Sequence, residues 1–350
     1  MKIEIVTTQN ESLCETGFGS LKACNSVLDS IERIGHDVKL NICNSKRDLD
    51  SIVKNNPDLV VLAVKYISLQ NENDIWLSDY FHRHGINFTG SSREVLRFDS
   101  NKISAKIYLA NKGIKTAKYF TAIPEQYQCA SELPIKFPLF LKPTDAANGN
   151  GIDDLSFVTN FSEFESKVLS LYSRFSSPVL VEEYLDGREF TVSIINTQNN
   201  ELIISPIEIV PPESKNGLRI LGQKVKSDDS EELKSIEDDE IKNAVIKLAI
   251  NSFMTLSVRD FGRIDIRANK AGDYFFIEAN LVPGMTYGSS YFPKSCEIEH
   301  ALTYDEVIQL MLASGLCRAE PKIPLKSGSQ RYLTSSPHTT LHAAPHRAVH

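Results

Sequence analysis

The sequence predicts an α/β protein of two or three lobes, with a small parallel sheet flanked by helices at the N-terminus and α+β lobes after it. Three observations carry this expectation. A chain of 350 residues is longer than one hydrophobic core usually organises. Residues 1–95 alternate strand-like and helical segments, the order that gives parallel strands with crossover helices. From residue 179 onward, three strand-like runs follow one another before a long helix and a hairpin.

Taken in order, Ile3-Glu4-Ile5-Val6 reads as the first strand, and Ser20 to Ile34 as a helix ended by Gly35, a residue that tolerates the left-handed backbone closing many helices. Val38 to Ile42 and the apolar run Leu59 to Val64 complete the first sheet. A helix near Ile75 to His84, stopped by Gly85, leads to Ile86-Asn87-Phe88-Thr89-Gly90. Asp99 or Ser100 is placed to cap a helix running to Lys112, with Gly113 behind it. Residues 114–178 read as strand, loop, strand, helix. Strands are expected at Val179 to Glu182, Glu189 to Asn196 and Leu202 to Val210, and a helix at Ile241 to Leu256. The capping box Thr303-x-x-Glu306 opens a last helix. Asp228 to Glu240 is strongly acidic and is expected to be mostly a solvated loop leading into the helix behind it. Residues 326–350, rich in Ser, Thr, Pro and Ala, read as a disordered tail. Its His338, His342, His346 and His350 are spaced by four, but Pro337 and Pro345 oppose the helix that would align them on a metal.

A net charge of -7 without a dominant basic stretch argues against nucleic acid or an anionic membrane as the main partner. It leaves room for an anionic ligand held by a few lysines. Met1 to Val6 is strand-like, nothing there resembles a signal peptide, and no apolar run reaches membrane-spanning length, so the expected compartment is the cytoplasm. Six cysteines, Cys14, Cys24, Cys43, Cys129, Cys296 and Cys317, contain no CxxC pair and suit reduced thiols.

The most informative stretch is Gly262-Arg263-Ile264-Asp265-Ile266, followed by Tyr274 to Ile277, Glu278-Ala279-Asn280 and Pro283-Gly284-Met285-Thr286. It reads as a hairpin turning across Ala268 to Asp273, and it brings the oxygens of Asp265, Glu278 and Asn280 to one site. Such hard ligands suit Mg²⁺, which shares its octahedron among protein carboxylates, water and substrate phosphates. A solvated hairpin with incidental acids would explain Asp265 alone, but not the whole pattern. Upstream, Lys102 near a helix start and Lys142 at the end of the apolar strand Phe137 to Pro143 could meet phosphate oxygens. Lys142 is the more telling, because a lysine in an apolar strand must find a partner. Behind it, Thr144 to Ile152 is a loop of small residues whose amides could fold over phosphates, although it matches neither a P-loop nor the dinucleotide fingerprint. The run Val179 to Glu189, with Glu182, Glu183 and the turn Asp186-Gly187, is an apolar strand ending in a polar hinge that could read an adenine edge.

Lysine, lysine with loop, acidic hinge and metal hairpin, in that order, resemble the ATP-grasp superfamily and within it the D-alanine–D-alanine ligase branch. The likeness covers about residues 86–300 and is strongest in Phe88 to Ser92, Lys142-Pro143, Glu182 to Glu189 and Gly262 to Thr286. It implies a three-lobed ATP-grasp fold: a Rossmann-like preATP-grasp lobe at 1–95, a central lid lobe at 96–178 and a C-terminal lobe with the Mg²⁺ site at 179–325, with ATP held between the last two. By this resemblance Lys102 and Lys142 contact phosphates, and Glu182, Glu183, the Leu185 backbone and Glu189 hold adenine and ribose, with Phe140 and Ile277 lining the base. Asp265, Glu278 and Asn280 bind two Mg²⁺ ions, for which Mn²⁺ would substitute. Arg263 and the Gly284 amide stabilise an oxyanion, Ser289 meets a substrate carboxylate, and Lys224 or Lys226 comes from a mobile lid. The implied protein is a carboxylate–amine ligase acting through an acyl phosphate on amino acids or dipeptides, and the resemblance implies a homodimer formed through its first lobe.

Three departures from the family pattern fall on the side that receives the first amino acid. The His-Gly-acidic stretch after the third strand is replaced by Ala63 to Ser68. The N-terminal glutamate motif is replaced by Gln9 to Ser12 and Glu15 to Gly19, and the serines of the phosphate loop by Asn148-Gly149. The ATP machinery is therefore expected to be intact and the D-alanine pocket altered. Two other readings remain: aminoacylation of a carrier-protein thiol, for which Lys112, Lys115 and Lys118 would supply a docking face, and a non-catalytic nucleotide binder. A Rossmann dehydrogenase is weaker, because the first lobe lacks the glycine fingerprint.

Overall fold

The N-terminal part of the chain runs β1 (Lys2–Thr7), α1 (Leu21–Arg33), β2 (Asp37–Ile42), α2 (Lys46–Asn55) and β3 (Leu59–Leu62), then a ribbon of β4 (Tyr66–Ile67) and β5 (Ile75–Trp76), and α3 (Leu77–Arg83). The structure, a computed structural model, describes residues 1–9, 17–18, 20–69, 73–144, 146, 149–197, 199, 201–214 and 217–316. The expected tail, its histidines, Cys14, Cys317 and most of the N-terminal motif region therefore lie outside the described residues. Strands β2, β1 and β3 form a parallel sheet in that order. All four residues of β3 are buried, as a parallel strand covered on both faces requires. The Ser20 hydroxyl caps α1 by accepting from the Ala23 amide, and Gly35 at φ +86° leads the chain out of the helix.

Helices α4 (Arg93–Ser100) and α5 (Lys102–Ala110) follow. The cap expected at Asp99 or Ser100 is instead Asn101, whose side chain accepts from the Ser104 amide at 2.9 Å. Asp99 is engaged elsewhere, by Lys65 at 2.9 Å and by the amides of Leu281 and Val282.

The middle of the chain forms β6 (Tyr119–Ala122), β7 (Leu139–Pro143), β8 (Phe157–Val158), α6 (Phe161–Phe175) and β9 (Val179–Glu183). These strands make an antiparallel sheet in the order β6-β9-β7-β8, on which α6 packs Phe164, Val168 and Leu171. The boundary expected at residue 179 thus cuts this sheet, because Val179–Glu183 is one of its inner strands.

The rest is β10 (Glu189–Asn196), β11 (Leu202–Val210), α7 (Gln223–Asp228), β12 (Glu232–Ser235), α8 (Asp239–Thr255), β13 (Phe261–Ala268), β14 (Tyr274–Asn280), α9 (Tyr291–His300) and α10 (Tyr304–Leu316). Its antiparallel sheet has the order β12-β11-β10-β13-β14. Phe190, Val192 and Ile194 of β10 meet Ile264 and Ile266 of β13 in the main core. The acidic stretch 228–240 is not mainly a loop: it ends α7, contains β12 and begins α8, which Asp238 caps by accepting from the Glu240 and Ile241 amides. The Thr303–Glu306 capping box forms at α10. Among the described residues, no helix is long and apolar enough to cross a membrane. Cys24, Cys43, Cys129 and Cys296 are free thiols, and Cys296 is packed in the core with the Ser205 hydroxyl beside it.

Candidate active site

The β13/β14 hairpin sets the geometry of the site. Asp265 pairs with Glu278 and Arg263 with Asn280 across the strands, so the alternation of side chains puts two polar pairs two residues apart on one face. The register then shifts: Ile266 faces Phe276, which leaves Ile277 as an extra residue in β14. This bulge lets the neighbours Ile277 and Glu278 both line one cavity while Phe276 stays fully buried in the core.

Asp265 is held on several sides. The Thr191 hydroxyl on β10 donates to its Oδ1 at 2.6 Å, Arg263 donates to both oxygens at 3.0 and 3.1 Å, and Asn280 Nδ2 donates to Oδ2 at 2.9 Å. With its nitrogen so used, Asn280 keeps its amide oxygen as a donor atom for a cation. Among the described residues no cluster of three or more His, Cys, Asp or Glu side chains gathers, so a cation here would rest on two carboxylates and one amide. That sparse oxygen set fits Mg²⁺ completed by phosphate and water. Burial works against the Glu278 carboxylate, but Lys102, Lys226, Lys142 and Arg263 together hold its pKa below the ordinary range.

One cavity is lined by Lys102, Phe140, Lys142, Glu182, Glu183, Leu185, Glu189, Asp265, Ile277 and Glu278, which brings every residue expected around a nucleotide to one place. Lys102, at the start of α5, donates to the Ala146 carbonyl at 2.9 Å and lies 3.5 Å from Glu278. Lys142 of β7 pairs with Glu182 of β9 at 2.7 Å. Glu183 turns outward enough to accept from the Lys118 amide at 2.8 Å. Arg267, two residues beyond Asp265 on β13, bonds the Leu185 carbonyl at 2.8 Å and Glu189 at 3.0 Å, and so fixes the hinge. Burial raises the Glu189 pKa, with Arg267 and Lys226 opposing.

A second cavity, of about 530 Å³ and so of small-molecule size, adjoins the first and is lined by Phe18, Lys226, Arg263, Asn280, Gly284 and Ser289 among others. Lys226 lines both cavities, whereas Lys224 lines a separate one beside Asp154 and Arg174. The two are only two residues apart on the short helix α7 and leave it on different sides, so of these two candidates it is Lys226 that stands beside the residues expected around a nucleotide. Ser289 is joined by Ser290, whose hydroxyl accepts from the Thr286 amide at 2.8 Å and fixes the turn after Gly284. Arg263 lies over the Tyr291 ring at 5.2 Å, and Tyr291 donates its hydroxyl to Glu231. Gly17 and Phe18 complete the wall, with Phe18 holding the Met285 amide through its carbonyl at 3.1 Å.

Sequence reasoning missed Lys106, Thr191, Arg267 and Tyr291. Arg267 continues the period-two series Arg263, Asp265, and Lys106 repeats Lys102 one helical turn on, so both had a visible signal. Thr191 and Tyr291 had none, since their roles depend on pairing across distant segments.

The family model for the D-Ala–D-Ala ligase C-terminus matches residues 108–313. A D-alanine–D-alanine ligase of Aquifex aeolicus is 26% identical over 298 residues, covering 84% of this chain and 94% of that protein. The crystal structure of the D-alanine–D-alanine ligase of Bacillus anthracis complexed with ATP superposes with a TM-score of 0.70 at 21% identity, covering 90% of this chain and 97% of that one. The VanG D-Ala:D-Ser ligase of Enterococcus faecalis gives 0.66 at 19% identity, covering 90% and 99%. The fold is the ATP-grasp fold of these ligases, and with more than half of its length matched by the family model, the chain belongs to the D-alanine–D-alanine ligase family.

Proposed function

We propose that the protein is an ATP-dependent ligase that joins the carboxylate of one amino acid to the amine of another through an acyl phosphate. The observation that carries this reading is the hairpin at the junction of the two cavities: Asp265 and Glu278 line one, Arg263 and Asn280 the other. A phosphoryl group and an acyl carbon could thus meet within one strand pair. The naming of its relatives as D-alanine–D-alanine ligases, and a structural neighbour solved with ATP, support the same chemistry.

In this reading ATP occupies the first cavity, with its base between Phe140 and Ile277 at the Glu182 to Glu189 hinge and its phosphates near Lys102 and Lys142. Asp265, Glu278 and Asn280 would hold Mg²⁺, which would supply charge neutralisation at the transferred phosphate. A substrate carboxylate oxygen attacks the γ-phosphorus and ADP departs. The amine of the second amino acid then attacks the acyl carbon, the oxyanion faces Arg263 and the Gly284 amide, and phosphate leaves as the nitrogen gives up a proton. No side-chain nucleophile is required. Lys226, which reaches both cavities, links the 223–231 segment to nucleotide and acyl group alike and helps exclude water that would hydrolyse the intermediate. Ser289 and Ser290 line the place for a substrate carboxylate. The lobes are proposed to divide near residues 95 and 183, so that β9 stays with the lid sheet. A carrier-protein acceptor has less support, because Lys115, one of the three lysines that would dock it, is paired with Asp273 at 2.6 Å.

The test is phosphate release from ATP and Mg²⁺ with a panel of single and paired D- and L-amino acids, with hydroxylamine present to capture the acyl phosphate. Release that depends on one acid and yields its hydroxamate is expected. Phosphate release without hydroxamate or dipeptide for any pair would overturn the reading.

A further inference from the structure

Behind the nucleotide cavity lies a lysine that does not line it. Lys106, on α5 one turn after Lys102, is 0% exposed, and its Nζ stands 2.6 Å from Glu182 Oε1. Glu182 Oε2 is 2.7 Å from Lys142 Nζ, so one buried carboxylate carries an ammonium on each oxygen. The two lysines differ in what else they can reach. Lys142 is part of the cavity wall and is within reach of what the cavity holds, whereas Lys106 lies outside that wall, with Glu182 as its only ion-pair partner among the described residues; burial lowers the Lys106 pKa, and the Glu182 carboxylate opposes it.

A carboxylate 4% exposed cannot stand alone. If Lys142 were its only counter-ion, turning that ammonium towards an ATP phosphate would strand Glu182, and the pair would resist opening. With Lys106 behind it, Glu182 stays neutralised whichever way Lys142 points. We propose that Lys106 is a positioning residue, the standing counter-ion of Glu182 that frees Lys142 to exchange between this carboxylate and the phosphates of ATP. The proposal rests on the reading of the first cavity as an ATP site. It gives the two lysines separate parts, one fixed and one mobile, where their distances to Glu182 alone would make them equivalent.

The experiment is equilibrium binding, by calorimetry, of ATP with Mg²⁺ and separately of adenosine, to the full-length protein and its variants. Lys106→Met leaves Lys142 bound to Glu182, so ATP affinity is expected to fall about tenfold or more while adenosine affinity changes less than about twofold. Lys106→Arg keeps the counter-ion and is expected to bind ATP within about threefold of the unaltered protein. Lys106→Met/Glu182→Gln removes both charges and with them the need for a standing counter-ion; any loss from the part of Glu182 in the adenine hinge falls on ATP and adenosine alike, so the ratio of the two affinities is expected to return to within about threefold of that of the unaltered protein. Unchanged ATP affinity in Lys106→Met, or equal losses of ATP and adenosine, would overturn the proposal. Should Lys106→Met fail to fold, the double variant decides: an ATP-to-adenosine affinity ratio lowered about tenfold or more there overturns it as well. An unaltered protein that binds neither ligand would overturn the ATP site itself, and the counter-ion role with it.

Discussion

The two cavities are built by different means. The nucleotide cavity is walled mainly by regular elements: α5, β7, β9, β10, β13 and β14 each contribute a charged or apolar side chain at a position fixed by backbone pairing. Its carboxylates are already matched by cations, Glu182 by Lys142 and by Lys106 behind it, and Glu189 by Arg267. The neighbouring cavity is walled mainly by the segments 17–18, 223–231 and 280–291, which owe their positions to close approaches between chain segments. A Cβ on Gly17 would fall 1.6 Å from the Ala63 carbonyl oxygen, and one on Gly222 would fall 2.6 Å from the Ile152 carbonyl oxygen. The difference suits a machine that keeps its phosphate chemistry constant and varies what it joins: paired strands resist change, whereas loops held by contact accept substitution one segment at a time.

The sharpest way to break this division is at Arg263, which belongs to the hairpin but faces the second cavity. Arg263→Ala is expected to lower turnover about 10²–10³-fold, as loss of an oxyanion donor does, while ATP affinity changes less than about threefold. Measuring phosphate release beside ATP binding checks it, and a parallel loss of affinity would show the two cavities to be one binding unit. Gly17→Ala tests the other side. The displaced backbone is expected to raise the KM of an amino-acid substrate about tenfold or more and leave ATP binding unchanged. If ATP affinity falls instead, contact-built walls reach further than their cavity. Between the two sits Lys226: Lys226→Met is expected to cost about tenfold in turnover, and Lys224→Met less than about twofold, read from steady-state rates of the two variants side by side.

The same division explains what could be read in the sequence. Asp265, Glu278 and Asn280 were legible because a hairpin of alternating residues defines its own cross-strand neighbours. Lys142 was legible because a lysine amid Phe140 and Leu141 demands a partner, although the partner itself, Glu182, comes from a strand some forty residues later in the chain. The Ile277 bulge was not legible, since it follows from how β14 is covered by the Lys115 segment, whose carbonyl accepts the Phe276 amide at 2.9 Å. Strand β12 was hidden for a related reason. Glu232 to Ser235 carries almost no apolar signal, because as an edge strand it is stabilised by pairing with β11 rather than by burial. The choice between Lys224 and Lys226 needed the direction in which α7 presents each side chain, which spacing alone does not give.

The finest test lies at a residue that touches neither reactant. The buried Tyr304 of α10 donates its hydroxyl to the Met285 carbonyl at 2.6 Å, in the turn that follows Gly284. Tyr304→Phe keeps the ring against the core and removes one donor, so it should lower the unfolding free energy by about 1–3 kcal/mol, the cost of leaving a buried carbonyl unpaired. If loops held by contact are the soft part of the site, that loss will also loosen Gly284 and raise the amino-acid KM about two- to threefold, with ATP affinity unchanged. Denaturant unfolding and substrate titration on the same preparation separate the two effects. A stability loss with no change in KM would mean that the turn is held well enough by Ser290 and Phe18, and that the second cavity is stiffer than its construction from loops suggests.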